Sequence, residues 1–325
     1  MFRLSFDGEV VSPSKRGSTP NNQSGRKRGG KPKPGDADRK RRSTGTRPPA
    51  GGRRGGRPRA AEGDQARQRR SGSGRGLGGD QVEGRQAVRE LLLARTRPVK
   101  EILMVEGLDD APILSDIREL AGDLKVPLKS VTRKRFDADA LTMSHQGVLA
   151  KAKPLQEKSL ESLLSGAPFL LVLDGLTDPQ NLGAIIRTAE CAGVTGIVMP
   201  RHRAVHVTAT VTKTAAGAIE HMPMALVGGI PTAIKDLSDA GVLTVGLDAD
   251  GETALFDLDL SNDRPVALVL GAEGSGLSRL VRQRVDVVAS LPLRGELNSL
   301  NVAMAGAAAC FEVVRQRTPK PRTGS

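Results

Sequence analysis

The C-terminal half of the chain alternates short apolar runs with segments of helical period. Phe169-Leu-Leu-Val-Leu173, Gly196-Ile-Val-Met199, Met222 to Leu226, Val242 to Leu247, Val266-Ala-Leu-Val-Leu270 and Val287 to Leu291 read as strands covered on both faces. Between them, Leu182, Ile185, Ile186 and Ala189 share one helical face, and helices are predicted over 207–219 and 230–237. A last helix follows Leu291, with a small-residue run from Ala303 to Ala309 that suits close packing against a neighbouring backbone. This alternation predicts an α/β unit built on a doubly wound parallel sheet, and by itself it predicts an ordinary open one. Upstream lies a shorter α/β pattern. Val82 to Leu93 has helical spacing, Glu101 to Val105 reads as a strand, and Ile113, Ile117, Leu120, Ala121 and Leu124 form one face of a helix. Two further short strands are predicted at Val126 to Val131 and Gly147 to Lys151.

No such pattern exists near the start. From Ser12 to Gly79 the chain is almost entirely Gly, Pro, Ser, Asn, Arg and Lys, too poor in apolar side chains to build a core, and it is expected to be disordered. Charge sharpens the division. Residues 1–79 carry 21 Lys/Arg against 6 Asp/Glu, while the remaining residues carry 28 against 30, so the whole excess of the +13 chain sits in this arm. Runs such as Arg39-Lys-Arg-Arg42 give a sequence-independent handle for a polyphosphate. No apolar stretch has membrane length and no secretion signal follows Met1, so a cytoplasmic protein is expected. Cys191 and Cys310 form neither a disulfide framework nor a metal cluster and read as small core residues, and no metal is expected.

Three polar stretches interrupt the strand-helix pattern at strand ends. In the first, Asp178 caps a helix with Pro179 at its first position, and packing of the apolar face leaves Asn181 and Arg187 toward the loops where open parallel sheets bind ligands. The second, Gly271-Ala-Glu-Gly-Ser-Gly-Leu277, lets a backbone approach a ligand closely. It lacks the G-x-G-x-x-G spacing, the Lys of a phosphate loop and a centred hydrolase serine, leaving a Gly-rich loop with one acid, Glu273. In the third, Pro292 and Gly295 end the last strand, and Asn298 or Ser299 is the expected N-cap of the final helix. Ser299 and Asn301 are thereby held at a helix N-terminus, where free N–H groups favour an electron-rich ligand. Ser144-His145-Gln146-Gly147, upstream, reads as a surface turn.

In this order and spacing, Asp178 to Arg187, Gly271 to Leu277 and Asn298 to Val302 resemble the three signature motifs of the SpoU (TrmH) family of RNA ribose 2′-O-methyltransferases, within the SPOUT superfamily. The resemblance covers residues 165–317, and residues 80–152 are similar to the ribosomal-protein-like substrate-binding domain of the branch that acts on bacterial ribosomal RNA. It implies a trefoil-knotted parallel-sheet catalytic domain at 166–318 and a substrate-binding domain at 80–152; composition sets beside them a basic arm at 1–79, a linker with a short helix at 153–165 and a tail at 319–325. It further implies that Asn181, Arg187, Glu273, Ser299 and Asn301 line the reaction centre. Leu247, Gly271, Leu291 and Leu300 would hold S-adenosylmethionine through backbone groups. The implied reaction is methyl transfer to a ribose 2′-hydroxyl, with a guanosine of large-subunit ribosomal RNA as substrate and a homodimer as the working form. Transfer RNA, an antibiotic-resistance target, or a catalytically silent RNA-binding role are the alternatives.

The arm adds charge and no fold, and the family plan gives it no part. It is expected to speed RNA encounter and steepen its salt dependence without choosing the nucleotide. Deleting residues 1–79 should flatten the slope of log K against log salt, and an unchanged slope in filter-binding titrations would contradict this.

Overall fold

The computed structural model describes residues 76–202, 205–261, 264–297 and 299–319. Residues 1–75 of the basic arm, with the disorder expected of them, Asn298 and the last six residues lie outside the described residues. Residues 76–79, also expected to be disordered, are instead part of the fold: Leu77 is buried in the core of the second sheet, and Gly78 and Gly79 pair with Val207.

The first sheet is built from β1 (Gln81–Glu83), α1 (Arg85–Ala94), β2 (Val99–Val105), α2 (Pro112–Asp123), β3 (Leu128–Val131), α3 (Arg133–Asp139) and β4 (Val148–Ala152). Its strand order is β1-β4-β2-β3, with β3 parallel to β2 and β4 antiparallel to both of its neighbours. The period-two alternation of β2 is used on both faces. Ile102 and Met104 pack under Leu91, Leu92, Leu114 and Ile117 of the two helices, while Leu103 and Val105 pack on Phe136 of α3.

The second sheet comprises β5 (Phe169–Leu173), α4 (Pro179–Cys191), β6 (Gly196–Pro200), α5 (Ala209–Thr214), β7 (Met224–Val227), α6 (Ile230–Asp239), β8 (Leu243–Leu247) and β9 (Thr253–Ala254). It is completed by β10 (Val266–Leu270), α7 (Arg279–Arg284), β11 (Val287–Ser290) and α8 (Val302–Arg317). The order is β7-β6-β5-β10-β8-β11-β9, and every pairing is parallel. β10 therefore returns between β5 and β8, a reversal of strand order of the kind that opens a crevice at the carboxyl ends of parallel strands. Phe169, Leu171 and Leu173 of β5 face α4 and α8, while Leu170 and Val172 face α6. The small residues of α8 pack as the sequence predicts. Ala303, Gly306 and Ala309 are buried, and a Cβ on Gly306 would stand 2.9 Å from Leu270 Cδ1. Burial beside them pushes the Cys310 thiol up to about 12.

Several local expectations are corrected. Residues 81–83 are a strand, and the helix read from Val82 starts only at Arg85, after Gly84 at φ +103°. The helix expected over 207–219 ends at Thr214, followed by a short 3-10 turn at Ala218–Glu220. Gly217, at φ +92°, breaks it because a Cβ there would lie 2.2 Å from Glu90 Cβ of α1. His145 is buried and not a surface residue. Its ring packs tilted against Phe136, centroids 4.6 Å apart, its Nδ1 accepts from the Gly147 N–H, and burial holds its pKa below the usual value. Cys191 is exposed on the solvent face of α4, between the buried Ala189 and Ala192, and only Cys310 is a core thiol.

The Gly217 position gives a direct test of this packing. Gly217→Ala combines a positive φ with a clash against the Glu90 Cβ, so it should cost more than about 1 kcal/mol, read as a lower urea midpoint. A midpoint equal to the parent's would show that α1 does not press on this turn.

Candidate active site

The first polar stretch folds as its sequence dictates. The Asp178 carboxylate accepts from the Gln180 N–H at 2.8 Å, Pro179 opens α4, and Leu182, Ile185, Ile186 and Ala189 bury against the sheet. Asn181, in the first turn, is drawn inward with them and is only 9% exposed. A buried carboxamide needs partners for both of its ends. It finds one on each of the other two stretches: its Nδ2 donates to Glu273 Oε1, and its Oδ1 accepts from Asn301 Nδ2 at 3.1 Å.

The Gly271–Leu277 loop closes on itself, Ala272 N–H donating to Gly276 C=O at 2.9 Å and Gly276 N–H to Ala272 C=O at 3.0 Å. Gly271 cannot carry a side chain there, since a Cβ would stand 2.2 Å from the Gly276 carbonyl. The far end is pinned by Ser278 N–H donating to Asp174 Oδ2 at 2.8 Å, which ties the loop to the end of β5.

The third stretch is capped differently from the sequence expectation. Asn301, and neither Asn298 nor Ser299, is the N-cap of α8, its Oδ1 accepting from Ala303 N–H at 2.9 Å and Met304 N–H at 3.3 Å. Its amide nitrogen is the group that reaches Asn181, so one side chain both starts the helix and joins the site.

The second and third stretches line a cleft of about 830 Å³ at the carboxyl ends of β8, β10 and β11. Leu247, Gly271, Leu291 and Leu300, read as cofactor residues, all line it, as do Glu273, Ser299 and Asn301. Asn181 reaches its edge through hydrogen bonds to the last of these and to Glu273. Arg187 is not brought to it. It lies exposed two turns along α4, with no hydrogen bond or ion pair among the described residues.

Two further residues belong to the cleft and were not singled out in the sequence. Asp248 follows β8 directly, accepts from Asp250 N–H at 3.1 Å, and pairs with Arg282 of α7 at 2.9 Å. Arg282 also donates to the Asp250 carbonyl at 3.0 Å. Burial raises the Asp248 pKa, but the Asp250 N–H, Arg282 and the Leu277 N–H together outweigh it and hold the carboxyl below its ordinary value. Position alone was the available signal, an acid at the carboxyl end of a parallel strand, as Asp174 is on β5.

The double duty of Asn301 is testable. Asn301→Ala loses the cap and should cost about 0.5–2 kcal/mol, whereas Asn301→Asp keeps the capping oxygen but loses the donor to Asn181 and should recover only part of that loss. Equal thermal midpoints for the Ala variant and the parent would contradict the capping role.

Comparison with known proteins agrees with this architecture. Residues 168–311 match the SpoU rRNA Methylase family, and residues 81–158 match the family described as RNA 2′-O ribose methyltransferase substrate binding. The chain is 40% identical over 246 residues to the 23S rRNA (guanosine-2′-O-)-methyltransferase RlmB of Pseudomonas aeruginosa, covering 74% of this chain and 98% of that protein. RlmB of Photobacterium profundum is 38% identical over 248 residues, 74% of this chain and 99% of its own. Among solved structures, the SpoU methyltransferase AviRb from Streptomyces viridochromogenes in complex with AdoMet shares the fold, with a TM-score of 0.63, 24% identity, and coverage of 78% of this chain and 97% of that one. An AdoMet-bound rRNA methyltransferase from Sinorhizobium meliloti gives a TM-score of 0.64 at 22% identity, covering 79% and 94%. The three converging stretches thus sit inside a family match that continues through both sheets, and the chain belongs to the SpoU rRNA methylase family.

Proposed function

We propose that the chain transfers a methyl group from S-adenosylmethionine to the ribose 2′-hydroxyl of a guanosine in large-subunit ribosomal RNA. The observation that carries this reading is the hydrogen-bonded run Asn301–Asn181–Glu273, which joins the three polar stretches at the mouth of one cleft. The printed activity of the RlmB relatives, matched over nearly their whole length, supports the choice of RNA and nucleotide. In this reading residues 80–152 present the RNA and 166–318 hold the reaction. The chain then works where ribosomal RNA is found, in the cytoplasm, and no helix among the described residues is long and apolar enough to cross a membrane.

The cleft suits the cofactor by its own chemistry. Leu247, Leu291 and Leu300 offer apolar walls to a purine, the Gly271 loop offers backbone at close range, and the carboxylates of Glu273 and Asp248 complement a cationic donor. When bound, the cofactor supplies a methyl group on a sulfonium, with a neutral leaving group. The chain's part is alignment, and holding two reactants in near-attack geometry can supply roughly 7–11 kcal/mol. Glu273 has one oxygen committed to Asn181, and its other oxygen makes no hydrogen bond among the described residues, so it is available to orient the 2′-hydroxyl. Ser299, exposed at the cleft, has the same role. The threading of a trefoil knot belongs to this reading, and the return of α8 onto α4 and β10 supports it.

Arg187 is a poor proton acceptor, because a guanidinium keeps its proton well above neutral pH. We assign it to the phosphate beside the target ribose, where it also stabilises the developing alkoxide. Its exposure outside its own cleft favours a second copy as the element that brings it in. α8 turns Met304 and Phe311 outward at 61% and 49% exposure, next to Leu300 and packed beside α4, an apolar face that suits a homodimer. Arg187→Lys should then lose most turnover, since the fork is lost while the charge stays. Co-purified dimers of Arg187→Ala and Glu273→Gln chains should recover activity that neither variant has alone, and no recovery would place Arg187 in its own chain's site. Mapping 2′-O-methyl groups in ribosomal and transfer RNA from a deletion strain tests the substrate. Loss of one guanosine mark in large-subunit RNA is expected, and loss confined to transfer RNA would overturn the assignment.

A further inference from the structure

Away from the cleft, an ion pair buried among the described residues is not used by the chemistry above. Arg97, in the turn between α1 and β2, meets Glu220 of the 3-10 turn before β7, with side chains 2% and 0% exposed. The contact is a bidentate fork, Nε donating to Glu220 Oε2 at 2.8 Å and Nη2 to Oε1 at 2.6 Å. The remaining nitrogen, Nη1, donates to the carbonyls of Gly79 at 2.5 Å and Lys153 at 2.6 Å. Those two carbonyls flank the first sheet, Gly79 just before β1 and Lys153 just after β4. One guanidinium therefore fastens both ends of the first unit to the second sheet's unit.

The surroundings leave little freedom. Glu90 of α1 lies against Gly217 so closely that no Cβ fits, and Gly79 N–H donates to the Val207 carbonyl at 2.9 Å. Ser144 meets Lys213 of α5, and α5 packs on α4, where a Cβ on Gly183 would stand 2.5 Å from Thr214 Cβ. From the pair to Asn181 the path is thus close-packed helix. A buried ion pair adds little net stability, because desolvation offsets the attraction. It does discriminate between arrangements. A docking shifted by one residue would leave a carboxylate or a guanidinium buried without its partner, which is strongly unfavourable, whereas the observed one satisfies both.

We propose that Arg97 and Glu220 are positioning residues that fix the RNA-binding sheet in one register over the cleft, and so set which nucleotide along the bound RNA reaches it. This rests on the RNA ribose methyltransferase reading, and the test separates the two. Spin labels at Glu119→Cys on α2 and Gln283→Cys on α7, in full-length Cys191→Ser chains diluted with unlabelled chain, report the distance between the units. The parent should give one narrow distribution. Glu220→Gln, and the apolar pair Arg97→Met with Glu220→Leu, should broaden it. In unlabelled chains the same substitutions should raise KM for ribosomal RNA about ten-fold and spread methylation to neighbouring nucleotides, with kcat at saturating RNA changed less than about two-fold. Calorimetric affinity for S-adenosylmethionine should stay at the parent value. A broad distribution in the parent would overturn the proposal even if a variant failed to fold, and so would an unchanged methylation site and KM in a variant whose distribution has broadened. If the parent methylates no ribosomal RNA, the functional reading fails, while the distance distribution still decides whether the pair holds the units in place.

Discussion

The buried carboxamide of Asn181 is the constraint on which the arrangement of the candidate site depends. Its two ends must both be satisfied, and the groups that satisfy them lie 92 and 120 residues further along the chain. Glu273 is thereby held at the edge of the cleft, and Asn301 is held where its oxygen also begins α8. The start of the last helix, the shape of the Gly-rich loop and the first turn of α4 are consequently one arrangement. A change in any one of them reaches the others through hydrogen bonds in a partly buried setting, where such bonds are strong and their loss is costly.

That coupling explains which parts of the molecule were legible in the sequence. Strands such as Phe169–Leu173 and Val266–Leu270 are apolar at every position because both faces are covered, and α4 announces itself through Asp178, Pro179 and its Leu/Ile face. The small residues of α8 likewise foretold its close approach to β10. The N-cap was misplaced because Asn298, Ser299 and Asn301 are all good caps by local preference, and only the distant demand of Asn181 selects the last. Periodicity extends the helix at 207–219 too far because its end is set by α1 pressing on Gly217, and it gives no sign that His145 is buried because its partner Phe136 comes from α3. Periodicity could not bring Asn181, Glu273 and Asn301 together. Their likeness to family motifs did, and the structure joins the same three side chains by hydrogen bonds.

Charge is distributed along the same division of labour. The cleft rim carries Glu273, Asp248 and Asp250, with Arg282 neutralising the inner acid, a setting suited to a cationic donor and unsuited to a polyphosphate. The excess of basic residues lies in the first 79 residues, away from the chemistry in sequence. The positive excess and the acid-lined cleft thus belong to different parts of the sequence.

The most direct test of the account is calorimetric titration of S-adenosylmethionine into the parent chain and into Gly271→Ala, whose added Cβ would collide with the Gly276 carbonyl. One saturable site per chain is expected in the parent, and its loss in a variant that keeps the parent's circular dichroism. Undiminished binding by Gly271→Ala, or no binding by the parent, would contradict it.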